Sequence, residues 1–288
     1  MCQQPAIPLI NHKIVFYGAG SMSEAIVRGM IARNVIDSNN IVMLNRSSNE
    51  RLAELRSRYG VLGCNDPEQK IEHLRTAPVI VLAMKPKDAA EALRVLGSVL
   101  SPDQLVISVI AGLTVRTIHG LLGTSQPVVR TMPNTSSSIG LGATGIVYSK
   151  EVNEEGRRTA LNIFESVGIT AVIEEERMET LTGISGSGPA YIYYMMEAMI
   201  AAGIRGGLPP QQSTELTVQT VLGAARMVQQ TGEEPAALRK KVTSPNGSTQ
   251  AAIEVLEKAD FFESVIAAVN RCAERSREMG VALEKELS

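Results

Sequence analysis

Short runs of apolar residues recur along the first 173 positions, each followed by a longer stretch with apolar residues at helical spacing. The runs KIVFYG (13–18), IVMLN (41–45), VIVLAM (79–84), LVISVI (105–110), VVRTM (128–132), ATGIVYS (143–149) and TAVI (170–173) have strand length and predict strands. Amphipathic patterns near 21–34, 48–59, 67–75, 87–99 and 151–167 predict the helices between them. This alternation predicts βαβ units and a mainly parallel sheet covered on both faces.

Past residue 174 the strand signal stops. Val218, Val221, Leu222, Ala225 and Val228, then Phe262, Val265, Ile266, Val269 and Cys272, repeat at helical spacing. GLPP (207–210) and TGEEP (231–235) punctuate these helices, because Gly and Pro interrupt the hydrogen-bond ladder. The expected fold is α/β: a doubly wound sheet over 1–173, then an all-α domain over 174–288. AYIYYMMEAMIAAGI (190–204) is shorter than a membrane span and contains Glu197, so it reads as a buried interface helix. The helical half is rich in Ala and Met. Its apolar surface exceeds what one small domain can hide, which points to dimerisation.

Composition narrows the function. A length of 288 residues suits two domains. The 28 basic and 30 acidic side chains leave a net −2, which argues against a nucleic-acid surface. Cys2, Cys64 and Cys272, and likewise His12, His73 and His119, are scattered. That fits neither a disulfide framework nor a metal site, and suits a reducing, cytoplasmic compartment. The segment MCQQPAIPLINHK has two prolines and no sustained apolar core, so neither a signal nor a transit peptide is read there.

IVFYGAGSMSEAI (14–26) places Gly18 and Gly20 between the first strand and the first helix, with Ser21 and Met22 opening that helix. Gly18 permits a tight turn, and Gly20 lets the backbone approach a pyrophosphate at the helix N-terminus. Ser23 stands where a third glycine is usual. Position in the first βαβ unit favours a dinucleotide site over a bare turn. The second strand ends in Asn45, Arg46, Ser47 and Ser48, with no acid before Glu50. Arg46 can pair with a 2′-phosphate while Asn45 and the serines add hydrogen bonds, or it can be a solvated loop arginine. NADPH is the expected cofactor, with NADH as the alternative. Other strand ends should face the same ligand: Ala83, Met84, Lys85 and Pro86, then the IAGLT stretch (110–114), then Met132, Pro133 and Asn134. Lys85 invites a catalytic reading, but Pro86 beside it favours a rigid turn that meets the nucleotide through backbone.

GAGSMSEAI, AMKP, RTMPNT, GISGSGPAYIY, GGLP and PAALRKKVTSPNGSTQAAIEVLE occur in an order that resembles the pyrroline-5-carboxylate reductases of proline biosynthesis. The last stretch, Pro235 to Glu257, is the most specific. The resemblance implies a Rossmann-like N-terminal domain, a helical dimerisation domain and an active site at the dimer interface, often within a ring of dimers. It implies reduction of 1-pyrroline-5-carboxylate to L-proline with NAD(P)H. It places the substrate carboxylate against Ser244, Asn246, Gly247, Ser248 and Thr249, with the Thr249 hydroxyl reaching the ring nitrogen and acting as the catalytic contact. Ser187 and Gly188, in SGSGP, help to wall the pocket on the same grounds.

Two departures stand out. Asn246 precedes Gly247 where relatives usually have two glycines, and Asn tolerates positive φ well enough to preserve a turn. Lys240 occupies a place where relatives often carry an acid; RKK either assists an anionic substrate or is a solvated face. The β-hydroxyacid dehydrogenases share a Rossmann domain followed by helices. They carry a lysine on the long interface helix, which GPAYIYYMMEAM lacks. A reductase of another cyclic imine carboxylate, or a non-catalytic NADPH-binding sensor or scaffold dimer, are the remaining alternatives.

Overall fold

The computed structural model describes residues 7–287, excepting the side chain of Leu287; Cys2 lies outside the described residues. Eight strands form one sheet: β1 (Ile14–Tyr17), β2 (Ile41–Leu44), β3 (Leu62–Cys64), β4 (Val79–Leu82), β5 (Leu105–Ser108), β6 (Val128–Met132), β7 (Gly142–Tyr148) and β8 (Gly168–Val172). Their order is β3-β2-β1-β4-β5-β6-β7-β8. Every neighbouring pair is parallel except β6 with β7, which run antiparallel with Arg130 opposite Val147.

Alternate residues of one strand enter different cores. Ile14 and Phe16 join one cluster and Val15 the other; Val79 and Val81 oppose Ile80 and Leu82 in the same way. Both faces are therefore buried, which explains the unbroken apolar runs. On the first face lie α1 (Ser21–Ala32), α2 (Asn49–Tyr59) and α6 (Glu154–Glu165), through Ile26 and Met30, Leu52 and Leu55, and Ile163 and Phe164. On the second lie α3 (Pro67–Thr76), α4 (Ala89–Gly97) and α5 (Val115–Leu122), through Leu74, Leu93 and Ile118. The doubly wound expectation is thus met.

Two elements were absent from the pattern reading. The apolar segment of β3 is three residues long with Gly63 at its centre, too short for a strand signal. Helix α5 has eight residues, and its Val115, Thr117 and Ile118 are β-branched, which weakens a helical signal.

The remaining helices are α7 (Met178–Leu181), α8 (Gly188–Arg205), α9 (Pro210–Thr231), α10 (Pro235–Lys241), α11 (Ser248–Lys258) and α12 (Phe261–Leu287). Contacts divide the chain elsewhere than the expected 173/174 boundary. One unit runs through Gly186 and resumes at Cys272; the other is Ser187–Arg271. The reason lies in the last turns of α12. Leu283 is buried in the second face's core, and the Glu284 carboxylate accepts from the Thr114 and Thr117 hydroxyls at 3.0 and 2.5 Å. In the same unit Arg130, 4% exposed, donates to Glu175 at 3.0 Å and Glu179 at 2.9 Å, tying β6 to the segment that follows β8.

Within Ser187–Arg271, α8 and α9 form a helical hairpin closed by Ser213 Oγ donating to the Ile200 carbonyl at 2.9 Å. The only side chains buried there are Ser213 and Thr217, among the described residues. Tyr194 is 77% exposed, Val255 65% and Phe262 73%. No described helix is long and apolar enough to cross a membrane.

Candidate functional site

The strand order places β1 between β2 and β4, and the direction of the chain reverses across the sheet at β1 and β4. In such sheets a crevice opens beyond the carboxyl ends of those two strands. The segments singled out from sequence end β1, β2, β4 and β6, so they gather on this edge: 18–22, 45–47, 83–86 and 132–134.

The glycine loop shows two different demands. Gly18 has φ +124°, and a Cβ there would lie 2.5 Å from the Ala83 carbonyl oxygen and 2.8 Å from the Met84 nitrogen. Its task is to let the loops after β1 and β4 press together, in addition to turning. Gly20 has ordinary φ −79° and caps α1 without a side-chain hydrogen bond. A Cβ on it would meet nothing within 4 Å. The space before the first turn of α1 is thus open, as a pyrophosphate held by backbone N–H groups requires. Ser23 accounts for the missing third glycine: it is fully buried, and its hydroxyl donates to the Gly18 carbonyl at 2.6 Å, closing the loop on itself.

Beyond β2, Asn45 Oδ1 accepts from the Ser47 and Ser48 amides at 3.2 and 3.3 Å, so its oxygen shapes the bend. Ser48 caps α2 by accepting from Arg51 N at 3.2 Å. Arg46 projects outward, its side chain 80% exposed, and donates to Asp88 at 3.2 Å. Beyond β4, Lys85 is exposed and its carbonyl accepts from Asp88 N at 2.9 Å, in a 3-10 turn over Pro86–Asp88. Asn134 is 8% exposed. Its amide donates to the Ser185 carbonyl at 2.9 Å and its oxygen accepts from Ala143 N at 3.3 Å, so it anchors the Met132–Asn134 segment.

A residue that the pattern reading passed over supports the loop. Arg51 Nε donates to the Ala19 carbonyl at 3.1 Å, while its other nitrogens hold Glu24 and Glu54. Glu24 also accepts from Tyr59 at 2.8 Å and Arg58 at 3.2 Å. The Arg51 hydrogen bond, against some desolvation, holds the Glu24 carboxyl below its ordinary range. Burial, with Glu91 adding to it, raises the Tyr17 phenol at the end of β1, so that group stays neutral near neutral pH. No spacing rule links Glu24 to Arg51, because they meet only through the packing of α1 beside α2.

In the other unit, the 242–249 loop turns on Asn246, whose φ is +58°, the conformation that Asn tolerates. Gly247 N donates to the Ser244 carbonyl at 3.0 Å, and the Gln250 side chain accepts from Asn246 N at 2.9 Å. Gly247 then caps α11 with no side-chain hydrogen bond. Helices α2, α3, α5 and α6 start on Ser48, Asp66, Thr114 and Asn153, each satisfying a first-turn amide with its own side chain. Helices α1 and α11 start on glycine and, like α4 and α7 to α10, receive no side-chain hydrogen bond at the cap. Ser187 lies at the N-cap of α8, after a π-helical turn over Thr182–Gly186, and a Cβ on Gly188 would meet nothing within 4 Å. In the last turn of α10, Arg239 pairs with Glu257 at 3.6 Å and Lys241 with Glu233. Two of the three RKK charges are thereby engaged with acids. Among the described residues no cluster of His, Cys, Asp and Glu could hold a metal ion.

Comparison with known proteins covers both halves. The family model described as pyrroline-5-carboxylate reductase dimerisation matches residues 175–279, and one described as NADP oxidoreductase coenzyme F420-dependent matches 13–112. Pyrroline-5-carboxylate reductase 1 of Bacillus spizizenii is 44% identical over 97% of this chain and 93% of its own. A solved pyrroline-5-carboxylate reductase from Coxiella burnetii superposes with TM-score 0.87 at 38% identity, covering 93% of this chain and 98% of that one. The Plasmodium falciparum pyrroline carboxylate reductase, solved with NADP bound, gives 0.84 at 31% identity over 95% and 100%. Likeness of this extent, running through both glycine-capped helix starts, shows that the chain belongs to the pyrroline-5-carboxylate reductase family.

Proposed function

We infer that this chain reduces 1-pyrroline-5-carboxylate to L-proline, the last step of proline biosynthesis, with NADPH as the preferred cofactor and NADH as the weaker one. The whole-length likeness to pyrroline-5-carboxylate reductases carries the reading. The open space at Gly20 fits the cofactor, which when bound supplies the hydride. Gly18, Gly20, Ser21 and Met22 hold its pyrophosphate at the start of α1. Arg46 and Ser47, on the bend that Asn45 shapes, take the 2′-phosphate. The backbone of Ala83, Met84, Lys85 and Pro86 and the Met132, Pro133 and Asn134 segment line the crevice.

The substrate offers a carboxylate as a handle. Ser244, Gly247 and Ser248 grip it at the uncapped start of α11, where N–H groups and the helix dipole favour an anion without an arginine. Asn246 sets the turn. Ser187 and Gly188 wall the pocket, and the Thr249 hydroxyl hydrogen-bonds the ring nitrogen. The imine enters already protonated, so the loop needs no titratable group. Fixing the orientation of substrate removes much of the entropic barrier.

The protein acts as a homodimer, assembled further as a ring of dimers. A helical unit that buries no apolar side chain of its own supports this. The compartment is cytoplasmic, a reading supported by Cys64 being a thiol outside any disulfide. Cofactor oxidation followed with pyrroline-5-carboxylate, beside its six-membered homologue, tests the reading. The five-membered substrate should be turned over with the higher kcat/KM. Tight NADPH binding without turnover of either imine would make the protein a sensor.

A further inference from the structure

An ion pair bridges the two sides of the crevice that opens beyond β1. Arg46 follows β2 and Asp88 ends the turn after β4, and these strands flank β1 on opposite sides. Their Nη1 and Oδ1 atoms are 3.2 Å apart, with the Arg46 side chain 80% exposed and that of Asp88 35%. We propose that Asp88 sets the strength of cofactor discrimination by occupying the guanidinium that a 2′-phosphate needs. This rests on the reading of Arg46 as the 2′-phosphate contact.

Asp88 and a 2′-phosphate compete for one guanidinium. Asp88 engages Arg46 through a single oxygen, whereas a guanidinium presents five donors and can hold two phosphate oxygens side by side. A 2′-phosphate can therefore displace the carboxylate. It must give up part of its gain to do so, and it then sits near a group of its own charge. A 2′-hydroxyl makes no such demand and leaves the Arg46–Asp88 pair in place. Asp88 thus subtracts from binding of the phosphorylated cofactor alone. Because exposed ion pairs are weak, the subtraction is a few-fold and not orders of magnitude.

The test uses the full chain, without imine, and reads dissociation constants for NADP+ and NAD+ by isothermal titration calorimetry. Asp88→Asn should tighten NADP+ by about two- to fivefold, the range expected of one exposed pair. Its NAD+ affinity should stay the same, which also reports an intact fold. Asp88→Ser, which removes the same charge, should behave alike. In an Arg46→Ala background the Asp88→Asn gain should shrink, leaving only the relief of the like charge. If Arg46→Ala weakens NADP+ while both Asp88 variants leave it unchanged, or weaken it, the proposal is overturned and the reading of Arg46 stands. If Arg46→Ala leaves NADP+ binding unchanged, the reading of Arg46 falls and the proposal falls with it.

Discussion

Gly18 and Gly20 stand two positions apart in one loop, yet substitution should damage different properties. Gly18→Ala places a Cβ against the Ala83 carbonyl at a φ of +124°, so it should lower stability by about 1–3 kcal/mol, read from chemical denaturation. Gly20→Ala meets no protein atom within 4 Å. It should leave the denaturation midpoint nearly unchanged and raise the NADPH dissociation constant severalfold, read by fluorescence titration. Equal loss of stability in both would remove the distinction. The sequence singled out Gly20, because its spacing from the strand is that of a phosphate loop, and the structure leaves the space beside it open. The sequence was silent on the second demand at Gly18, which comes from a loop 65 residues away by the numbering of Ala83. Asn246 was legible in the same local way, since left-handed φ is a property of one residue. Thr249 makes the sharpest claim at this scale. Thr249→Ala should lower kcat/KM roughly tenfold or more, the loss of ~1–3 kcal/mol from one good hydrogen bond. Unchanged steady-state kinetics would take Thr249 out of the mechanism.

Strands β1, β2 and β4 were legible because burial on both faces leaves only apolar residues, and β5 and β6 because their runs stay mostly apolar despite Ser108, Arg130 and Thr131. The edge strand β3 was not, since three residues around Gly63 carry too little pattern. The last turns of α12 escaped for another reason: nothing in an amphipathic pattern says which domain a helix will cover. Cross-element polar networks are equally hidden, and the one around Glu24 gives a pH prediction. Arg51 holds the Glu24 carboxyl below its ordinary 4.5. Glu284 is lowered likewise, first by Thr117 and then by Thr114. A depressed carboxylate contributes stability that is complete above the unfolded value and is lost as pH falls through the folded one. The denaturation midpoint should therefore decline on acidification below about 4.5, as the unfolded chain takes up protons first. Arg51→Met should be less stable at neutral pH and show a shallower acid decline, read from urea titrations across that window. A decline as steep as that of the parent would exclude Glu24 as a contributor.

The whole chain divides its labour between a sheet domain with two apolar cores and a helical unit that has none of its own. An exposed Leu222 on α9, at 46%, and Phe262 at 73% have no place in a solvated monomer surface of this extent. Analytical ultracentrifugation should show a dimer or a larger even-numbered assembly, and Leu222→Glu should shift it towards smaller, less stable species. A stable, active monomer would contradict the account of the helical half. The class of architecture, helices after a doubly wound sheet, was legible from periodicity alone. What the periodicity could not show is that the helices bury almost nothing within one chain, because an amphipathic face reads the same whichever molecule covers it. The central claim is the reaction itself. Its most direct test is to incubate the purified protein with pyrroline-5-carboxylate and NADPH and quantify L-proline against cofactor consumed. The account predicts equal amounts of L-proline formed and NADPH oxidised, with Thr249→Ala slowing both together; cofactor consumption without L-proline, or none at all, would contradict it.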